Sequence, residues 1–246
     1  MRAQQSDVLV TGAAGGLGGG LVAALVARGD RVVAMDRVPL ERDDVVAYTL
    51  DLADEGAVAD ALTDAAERGL EVRHVVAIAG AALPEEKTGA DIAQLPLAVF
   101  RASLELNLVT AWITLRAALP HLRRAGGDRS ITLTASTDAL ASYGLPAYAA
   151  AKAGLIGLVN SLAGPLAGDG IRINAVAPGD VPTERNVREW GHVPGWYDRL
   201  RASSPLGRLA TPEDIAAAYL ALIDMRHVTG QVIVVDGGQT ISRPSS

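Results

Sequence analysis

Tyr148 and Lys152 stand four residues apart in the Ala-rich stretch Tyr148-Ala-Ala-Ala-Lys152. Residues four apart in a helix share one face, which would place the Lys152 ammonium beside the Tyr148 phenol. A free phenol has a pKa of about 10, and a neighbouring positive charge lowers it. We therefore predict that Tyr148 is an acid–base group that exchanges a proton with a carbonyl or alcohol oxygen.

The composition of the chain supports this interpretation. Its 22 basic residues comprise twenty arginines and two lysines, Lys87 and Lys152. An ammonium is a compact charge suited to a proton relay, whereas a guanidinium does not deprotonate. A lone Tyr-x-x-x-Lys is more often an ordinary helical pair. The rest of the chain decides between these alternatives.

Length and charge exclude several classes of protein. With 246 residues, 49% of them hydrophobic, the chain can bury the core of one domain spanning residues 1–246. A net charge of -6 without a basic block disfavours nucleic acid as a partner. The absence of cysteine excludes disulfides and thiolate metal sites. We expect no metal, because the four histidines lack ligand spacing: His74, His121, His192 and His227.

The N-terminal region has the pattern of a dinucleotide-binding unit. A short apolar run, Val8-Leu-Val10, leads into Thr11-Gly12-Ala-Ala-Gly15-Gly16-Leu17-Gly18, and a helical pattern follows as far as Gly29. In such a motif the first glycine permits a tight turn, the second lets the backbone approach a pyrophosphate, and the third allows close helix packing. Glycines in an Ala/Gly-rich chain can also be simple turns, but the strand–turn–helix context favours cofactor binding.

Asp36 directly follows the second predicted strand, residues 31–35. A carboxylate roughly 20 residues after the glycines can accept a hydrogen bond from the ribose 2′-hydroxyl of the cofactor. The carboxylate would repel a 2′-phosphate and therefore favours NAD over NADP. Arg37 supports the alternative, since a base here can receive that phosphate. Asp51, after the third strand, either accepts from the adenine amino group or caps the helix that begins near Asp54.

Strands and helices alternate along the whole chain, which predicts an α/β, Rossmann-type doubly wound parallel sheet of about seven strands with helices on both faces. We expect a helix over 54–68, a long one ending near Arg124, and one over 147–163 that Pro165 kinks or ends. A further helix over 212–224 has Thr211 as N-cap and Pro212 at its first position. The predicted strands lie at 8–10, 31–35, 45–50, 72–78, 131–136, 171–177 and 232–235.

Two further polar residues occupy positions that suggest a functional role. Ser136 ends the fifth strand, at the sheet edge where open α/β sheets bind ligands. Asn107 lies inside the long helix, where its propensity is unfavourable. Residues 81–96 are predicted to form a polar loop near this edge. Residues 180–209 are irregular in sequence and hold Trp190 and Trp196, which predicts either a substrate lid or a cover for the core.

Together these features resemble the single-domain branch of the short-chain dehydrogenase/reductase family. The resemblance covers nearly the whole chain and is carried by Thr11-Gly12-x-x-x-Gly16-x-Gly18, Asp51, Asn107, Ser136, Tyr148-x-x-x-Lys152, Asn174, Pro178-Gly179 with Thr183, and Thr229-Gly230 before Asp236-Gly237-Gly238. The family usually has Asn-Asn-Ala-Gly after the fourth strand, whereas this chain has Ala77-Ile78-Ala79-Gly80. The departure affects local support of the sheet and cofactor pocket rather than the catalytic set.

The resemblance implies a catalytic set of Asn107, Ser136, Tyr148 and Lys152. Tyr148 would exchange the proton, Ser136 would polarise the substrate oxygen, Lys152 would hold the nicotinamide ribose and lower the Tyr148 pKa, and Asn107 would position a relay water. The implied cofactor-binding residues are Gly12, Gly15, Gly16, Leu17, Gly18, Asp36, Arg37, Asp51, Leu52, Ala79, Gly80, Tyr148, Lys152, Pro178, Gly179, Val181 and Thr183.

We therefore expect an NAD(H)-dependent oxidoreductase that interconverts a secondary alcohol and a ketone in a small, partly apolar pocket. That pocket would include Leu83, Tyr143, Trp190 and Trp196. An NADP(H)-dependent ketoreductase and a non-catalytic NAD-binding sensor or scaffold are the alternatives. The chain has no signal-peptide pattern and no uninterrupted apolar run of membrane-spanning length, so we expect a cytoplasmic protein. The resemblance and the small residues of helix 147–163 predict a homotetramer or a dimer.

Overall fold

The computed structural model describes residues 5–86, 91–141 and 144–241, without the side chains of residues 189 and 190. Seven strands form one parallel sheet, and helices cover both of its faces. The strands are β1 (Asp7–Thr11), β2 (Arg31–Asp36), β3 (Val46–Thr49), β4 (Val72–Ala77), β5 (Arg129–Thr134), β6 (Ile171–Pro178) and β7 (Val232–Val235). The helices are α1 (Gly16–Arg28), α2 (Glu55–Glu67), α3 (Leu97–Leu104), α4 (Thr110–Arg124), α5 (Pro146–Gly168), α6 (Glu184–Trp190), α7 (Trp196–Ser203) and α8 (Pro212–Asp224).

The strand order, β3-β2-β1-β4-β5-β6-β7, creates a switch point between β1 and β4. The chain runs outward from β1 to β3 on one side and then returns to start the other side with β4. Crossovers therefore diverge at the carboxyl ends of β1 and β4, leaving a crevice in which ligands bind in open α/β sheets.

Side chains along each strand point alternately to the two faces of the sheet and so contribute to both halves of the core. In β1, Val8 and Val10 pack into a cluster with α1 and α8, whereas Leu9 packs into the cluster beneath α2, α4 and α5. All three side chains are fully buried. A strand covered on both faces needs apolar residues at every position, which explains the continuous apolar runs in the sequence.

The predicted fold is confirmed, and most boundaries agree with the structure within two residues. Thr211 and Asp214 form a reciprocal capping box at the start of α8, with Pro212 in its first turn. Pro165 does not end the helix, because α5 continues through it to Gly168, and the predicted kink remains a prediction. Pro165 is exposed and near the helix end, so it removes one backbone hydrogen bond without breaking the core-facing side.

Residues 180–209 are not irregular as predicted, because they contain α6 and α7. The two helices have seven and eight residues, too few to display a clear helical period in the sequence. Thr183 caps α6 by accepting a hydrogen bond from the Asn186 amide, 3.4 Å away.

Two helical stretches, Leu97–Arg124 and Pro146–Gly168, are long and apolar enough to match the length and composition of a membrane span. Both contribute side chains to the core beneath the sheet, and α5 also carries the buried, charged Lys152. Core helices of soluble proteins have the same composition, so this match is weak evidence for a span.

Candidate active site

A cleft of about 1280 Å³ opens along the carboxyl edge of the sheet at the β1–β4 switch point. Every residue of the predicted cofactor-binding set lines it, from Gly12 in the first turn to Thr183 before α6. Ser136, Tyr148 and Lys152 line the same cleft. The structure thus brings together residues from seven separate stretches of sequence, as the switch-point argument predicts.

The glycine turn packs as tightly as its sequence suggests. Gly12 has a φ of +69°, which favours glycine. A Cβ on Gly18 would lie 2.0 Å from the Gly12 carbonyl oxygen, so any side chain there would force the turn away from α1. Gly15, the N-cap of α1, provides no side-chain cap. The first amides of α1 therefore stay available for an anionic group such as a pyrophosphate.

Asp36 ties the end of β2 to this turn. Its Oδ2 accepts a hydrogen bond from the Ala14 amide and its Oδ1 accepts from the Val38 amide, each at 3.0 Å. A carboxylate has about four lone-pair positions, so both oxygens can still accept from a ligand hydroxyl. Arg37 lies next to it on the rim of the cleft with an exposed side chain.

Asp51 does not cap α2. Asp54 does so, by accepting from the Ala57 amide at 3.0 Å, while the Asp51 Oδ1 accepts from the Ala53 amide at 2.9 Å. The exposed Asp51 lies on the cleft wall beside the buried Leu52. Of the two roles predicted for Asp51, the cap is wrong, and the contact with adenine remains a prediction.

Lys152 is the most deeply placed charged group in the cleft. Its side chain is 2% exposed, and its Nζ donates a hydrogen bond to the Thr134 carbonyl at 2.8 Å. The Nζ lies 5.5 Å from the centre of the Tyr148 ring, which confirms that the two share one face of α5. Burial lowers the pKa of Lys152 to about 8, and the nearby Asp138 acts in the opposite direction.

The structure contradicts the predicted lowering of the Tyr148 pKa. Burial raises the pKa of Tyr148, and the negative charge of Asp138 raises it further. A hydrogen bond to Ser136 and the positive charge of Arg185 act in the lowering direction but are smaller. The sequence places Lys152 four residues after Tyr148. It does not reveal that the Tyr148 phenol is buried or that the Asp138 carboxylate faces it.

Asn107 lies behind the cleft in a π-helical turn, Glu105–Val109, that joins α3 to α4. Such turns inside α-helices occur frequently at functional sites. The Asn107 Nδ2 donates to the Ala81 and Ser103 carbonyls, each at 3.0 Å. Its Oδ1 is buried and has no hydrogen-bond partner in the described protein. This unpartnered acceptor fits the predicted water, since buried polar atoms are normally satisfied.

Gly80 joins Asn107 to Lys152. A Cβ on Gly80 would lie 2.4 Å from the Asn107 Oδ1 and 3.2 Å from the Lys152 Nζ. Glycine is therefore required for these two polar groups to approach the same segment of backbone. The change from Asn-Asn-Ala-Gly to Ala77-Ile78-Ala79-Gly80 leaves this feature intact.

Ser136 follows β5 and is 7% exposed. Its hydroxyl donates a hydrogen bond to the Asp138 Oδ2 at 2.8 Å and accepts one from the Asp138 amide at 3.2 Å. Asp138 also lines the cleft. Burial raises the pKa of the Asp138 carboxyl, and Asp180 and Glu86 add to this effect. The sequence analysis missed Asp138, although an acid two residues after a predicted strand end was a visible signal.

Glu86 is a second residue that the sequence analysis missed. Its side chain is buried, and its carboxylate accepts hydrogen bonds from the Ala147 amide at 2.5 Å and the Tyr148 amide at 3.1 Å. Helix α5 has no side-chain cap of its own, because Leu145 is the N-cap residue. Glu86 thus caps the catalytic helix from the loop after β4 and fixes the backbone of Tyr148.

The substrate end of the cleft is more polar than predicted. Trp196 lines it, but Leu83 does not. The Leu83 carbonyl accepts from the Glu86 amide and closes the turn that presents Glu86. Tyr143 lies outside the described residues, as does the side chain of Trp190. The described lining of this end combines Leu145, Val193, Trp196 and Leu200 with Asp138, Asp180, Glu184, Arg185, Arg188 and Arg199.

Comparisons with known proteins show which family the chain resembles. A family model described as enoyl-(acyl carrier protein) reductase matches residues 12–240. The chain is 34% identical to the cis-4-hydroxycyclohexanecarboxylate dehydrogenase of Sinomonas cyclohexanicum, over 94% of this chain and 95% of the relative.

Solved structures show the same likeness. An oxidoreductase of the short-chain dehydrogenase/reductase family from Burkholderia thailandensis is 36% identical, with a TM-score of 0.86 over 98% of this chain and 94% of that one. The chain belongs to the short-chain dehydrogenase/reductase family. A further solved structure, a 3-oxoacyl-(acyl carrier protein) reductase from Brucella melitensis with bound NAD, is 27% identical, with a TM-score of 0.82 over 98% of this chain and 93% of that one. The protein is accordingly an NAD(P)-dependent oxidoreductase.

The buried cap predicts a stability effect for Glu86. Glu86→Ala leaves two amides of α5 without an acceptor and should lower the free energy of unfolding by about 1–3 kcal/mol in urea denaturation. Glu86→Gln, which keeps an acceptor oxygen, should lose less. The neighbouring exposed Glu85→Ala should change stability by about 0.5 kcal/mol or less. Equal losses for Glu85→Ala and Glu86→Ala would contradict the cap.

The buried ammonium predicts how stability depends on pH. The pKa of Lys152 is about 8 in the folded protein, below its ordinary value of 10.5, so the unfolded chain binds the proton more tightly. The destabilisation is therefore complete below pH 8 and is relieved as the pH rises from 8 toward 10.5.

We expect the unfolding free energy of the wild type, relative to Lys152→Met, to rise by on the order of 2 kcal/mol between about pH 7 and 9.5. Urea denaturation without cofactor at both pH values measures this difference. Parallel pH curves for the two proteins would show that Lys152 does not keep a lowered pKa.

Proposed function

We propose that this protein is an NAD(H)-dependent dehydrogenase that interconverts a secondary alcohol and a ketone. The observation that carries the proposal is the convergence of Ser136, Tyr148 and Lys152 on the cleft that begins at the glycine turn, with Asn107 directly behind. These four residues match the set that the family resemblance implies, and their convergence supports the roles proposed for them.

The nicotinamide, when bound, supplies or accepts the hydride. The protein then has to place the substrate carbon and manage one proton. Tyr148 exchanges that proton with the substrate oxygen, and Ser136 hydrogen-bonds the same oxygen. Lys152 would hold the nicotinamide ribose of the bound cofactor and would favour the Tyr148 phenolate, while the unpartnered Oδ1 of Asn107 would hold a water that continues the relay. With cofactor and substrate in the cleft, the ammonium competes with the burial that raises the Tyr148 pKa.

The choice of NAD over NADP is supported by Asp36. Its carboxylate is fixed by two backbone amides at the end of β2, where the adenosine ribose is expected. A 2′-phosphate would approach this negative charge. Arg37 is exposed on the rim and supports the alternative, an NADP-dependent ketoreductase.

A small cyclic alcohol suits the substrate end of the cleft. Trp196 and Leu145 provide an apolar wall for a ring, and Arg188 and Arg199 can receive one carboxylate at its far side. The relative from Sinomonas is named for a cyclohexane that carries both a hydroxyl and a carboxylate. We therefore propose that the substrates are ring alcohols and ring ketones with a single acidic group.

The oxidoreductase proposal is tested by following nicotinamide absorbance with cyclohexanols and cyclohexanones, with and without a ring carboxylate. We expect turnover in the wild type and a loss of at least about a thousandfold in Tyr148→Phe, because the proton has no donor. Cofactor binding should persist in that variant. Turnover retained in Tyr148→Phe would refute the assignment, and binding of NADH without any turnover would favour a non-catalytic sensor.

Cofactor choice is tested by titrating NADH and NADPH and following nicotinamide fluorescence. The wild type should bind NADH more tightly. Asp36→Asn keeps the shape of the side chain but removes the charge, so it should tighten NADPH binding by about tenfold or more. Asp51→Asn, on the same wall, is the matched control and should leave the preference unchanged. Tighter binding of NADPH by the wild type would contradict this interpretation of Asp36.

A further inference from the structure

Arg185 connects helix α6 to the loop after β4. Its Nη2 donates a hydrogen bond to the Ala82 carbonyl at 2.9 Å, which joins two residues 103 positions apart in the chain. Arg185 is half-buried and lines the same cleft as Tyr148. Its side chain therefore belongs to the wall of the active site rather than to the outer surface of α6.

The carbonyl that accepts this hydrogen bond lies in a segment that also contacts two residues of the catalytic set. The preceding carbonyl, that of Ala81, accepts from the Asn107 Nδ2 at 3.0 Å. Further along the same loop, the Glu86 carboxylate accepts from the Tyr148 amide at 3.1 Å. The hydrogen bond from α6 thus reaches the segment that holds Asn107 and the first turn of α5.

The first turn of α6 is itself fixed by two hydrogen bonds. Thr183 accepts from the Asn186 amide at 3.4 Å, and the Asn186 Nδ2 donates to the Val181 carbonyl at 2.9 Å. Arg185 directly precedes Asn186 in the chain. Its backbone is therefore held at the base of the helix while its side chain extends to the loop after β4.

The titratable groups that face the Tyr148 phenol come from five elements. They are Lys152 on α5, Asp138 after β5, Glu86 after β4, Arg185 on α6 and the buried Tyr219 on α8. The two carboxylates raise the pKa of Tyr148, and the guanidinium lowers it. A guanidinium keeps its charge at every pH at which a phenol titrates. Arg185 therefore adds a permanent positive charge to that of Lys152, whose pKa burial lowers to about 8.

We propose that Arg185 is a positioning residue for the proton transfer: by joining α6 to the loop after β4, it holds a permanent positive charge toward the catalytic phenol and favours the phenolate that removes a proton from the alcohol. The inference rests on the proposed alcohol–ketone activity, in which Tyr148 exchanges that proton. It adds that the position of α6 affects the acid strength of Tyr148, because this helix carries the charge.

The test is the pH dependence of alcohol oxidation with saturating oxidised cofactor and the cyclohexanol that the wild type oxidises best. The value of kcat/KM rises with pH until the base in the enzyme–cofactor complex is deprotonated, so the profile reports the pKa of Tyr148. In Arg185→Met this kinetic pKa should rise by about 0.5–1, because one cation no longer favours the phenolate. At a fixed pH below the kinetic pKa, kcat/KM should fall by a matching factor of about three to ten.

Two further variants separate the charge from general effects of substitution. Arg185→Lys keeps a positive charge, so its kinetic pKa should lie between those of the wild type and Arg185→Met. Arg188→Met removes an exposed arginine of the same helix and the same cleft. It can change the KM of an acidic substrate, but it should move the kinetic pKa by about 0.2 or less, since solvent screens an exposed charge.

Three results would overturn the proposal: an unchanged kinetic pKa in Arg185→Met, an equal rise in Arg185→Lys, or an equal rise in Arg188→Met. The kinetic pKa is obtained from the shape of the profile rather than its height, so it does not depend on the fraction of each variant that is folded. A wild type that turns over no cyclohexanol or cyclohexanone would instead refute the proposed function. The two failures are therefore distinguishable.

Discussion

The constraint on which the site depends is the burial of one ammonium beneath one phenol. Lys152 donates to the Thr134 carbonyl at the end of β5, so this strand, which lies next to the central β4, sets the depth of α5. Burying this charge costs stability, as the lowered Lys152 pKa shows. Gly80, in the loop after β4, lies against both this Nζ and the Asn107 side chain from the π turn. Several elements therefore meet at a single charged atom.

The cofactor half of the cleft is organised by backbone groups rather than by side-chain charge. The turn from Gly12 to Gly18 leaves the first amides of α1 without a side-chain cap, and Asp36 holds the turn through the Ala14 amide. Anion binding by such amides needs no lysine or arginine. This is consistent with a net charge of -6 on a chain that binds a dinucleotide.

Much of the fold and of the site was predictable because it depends on local patterns. Apolar runs followed by glycine or a polar residue marked the strands and their carboxyl ends, and parallel strands bring those ends to one edge. The features that the sequence did not reveal depend on distant partners. Nothing local distinguishes the buried Glu86 from the exposed Glu85, since only α5, 61 residues later, gives Glu86 its role. The direction of the Tyr148 pKa shift was predicted incorrectly for the same reason, because burial and the facing Asp138 are products of the tertiary structure.

The π turn at Glu105–Val109 has a consequence for how this region can vary. A π turn holds one more residue than the α-helical turn it replaces, so α3 and α4 are out of helical phase with each other by about 100°. Deleting a single residue there would restore a regular helix but rotate Asn107 away from Gly80, or rotate α3 away from α5. Substitutions in this segment should therefore be tolerated better than deletions, because the number of residues between α3 and α4 sets the position of Asn107.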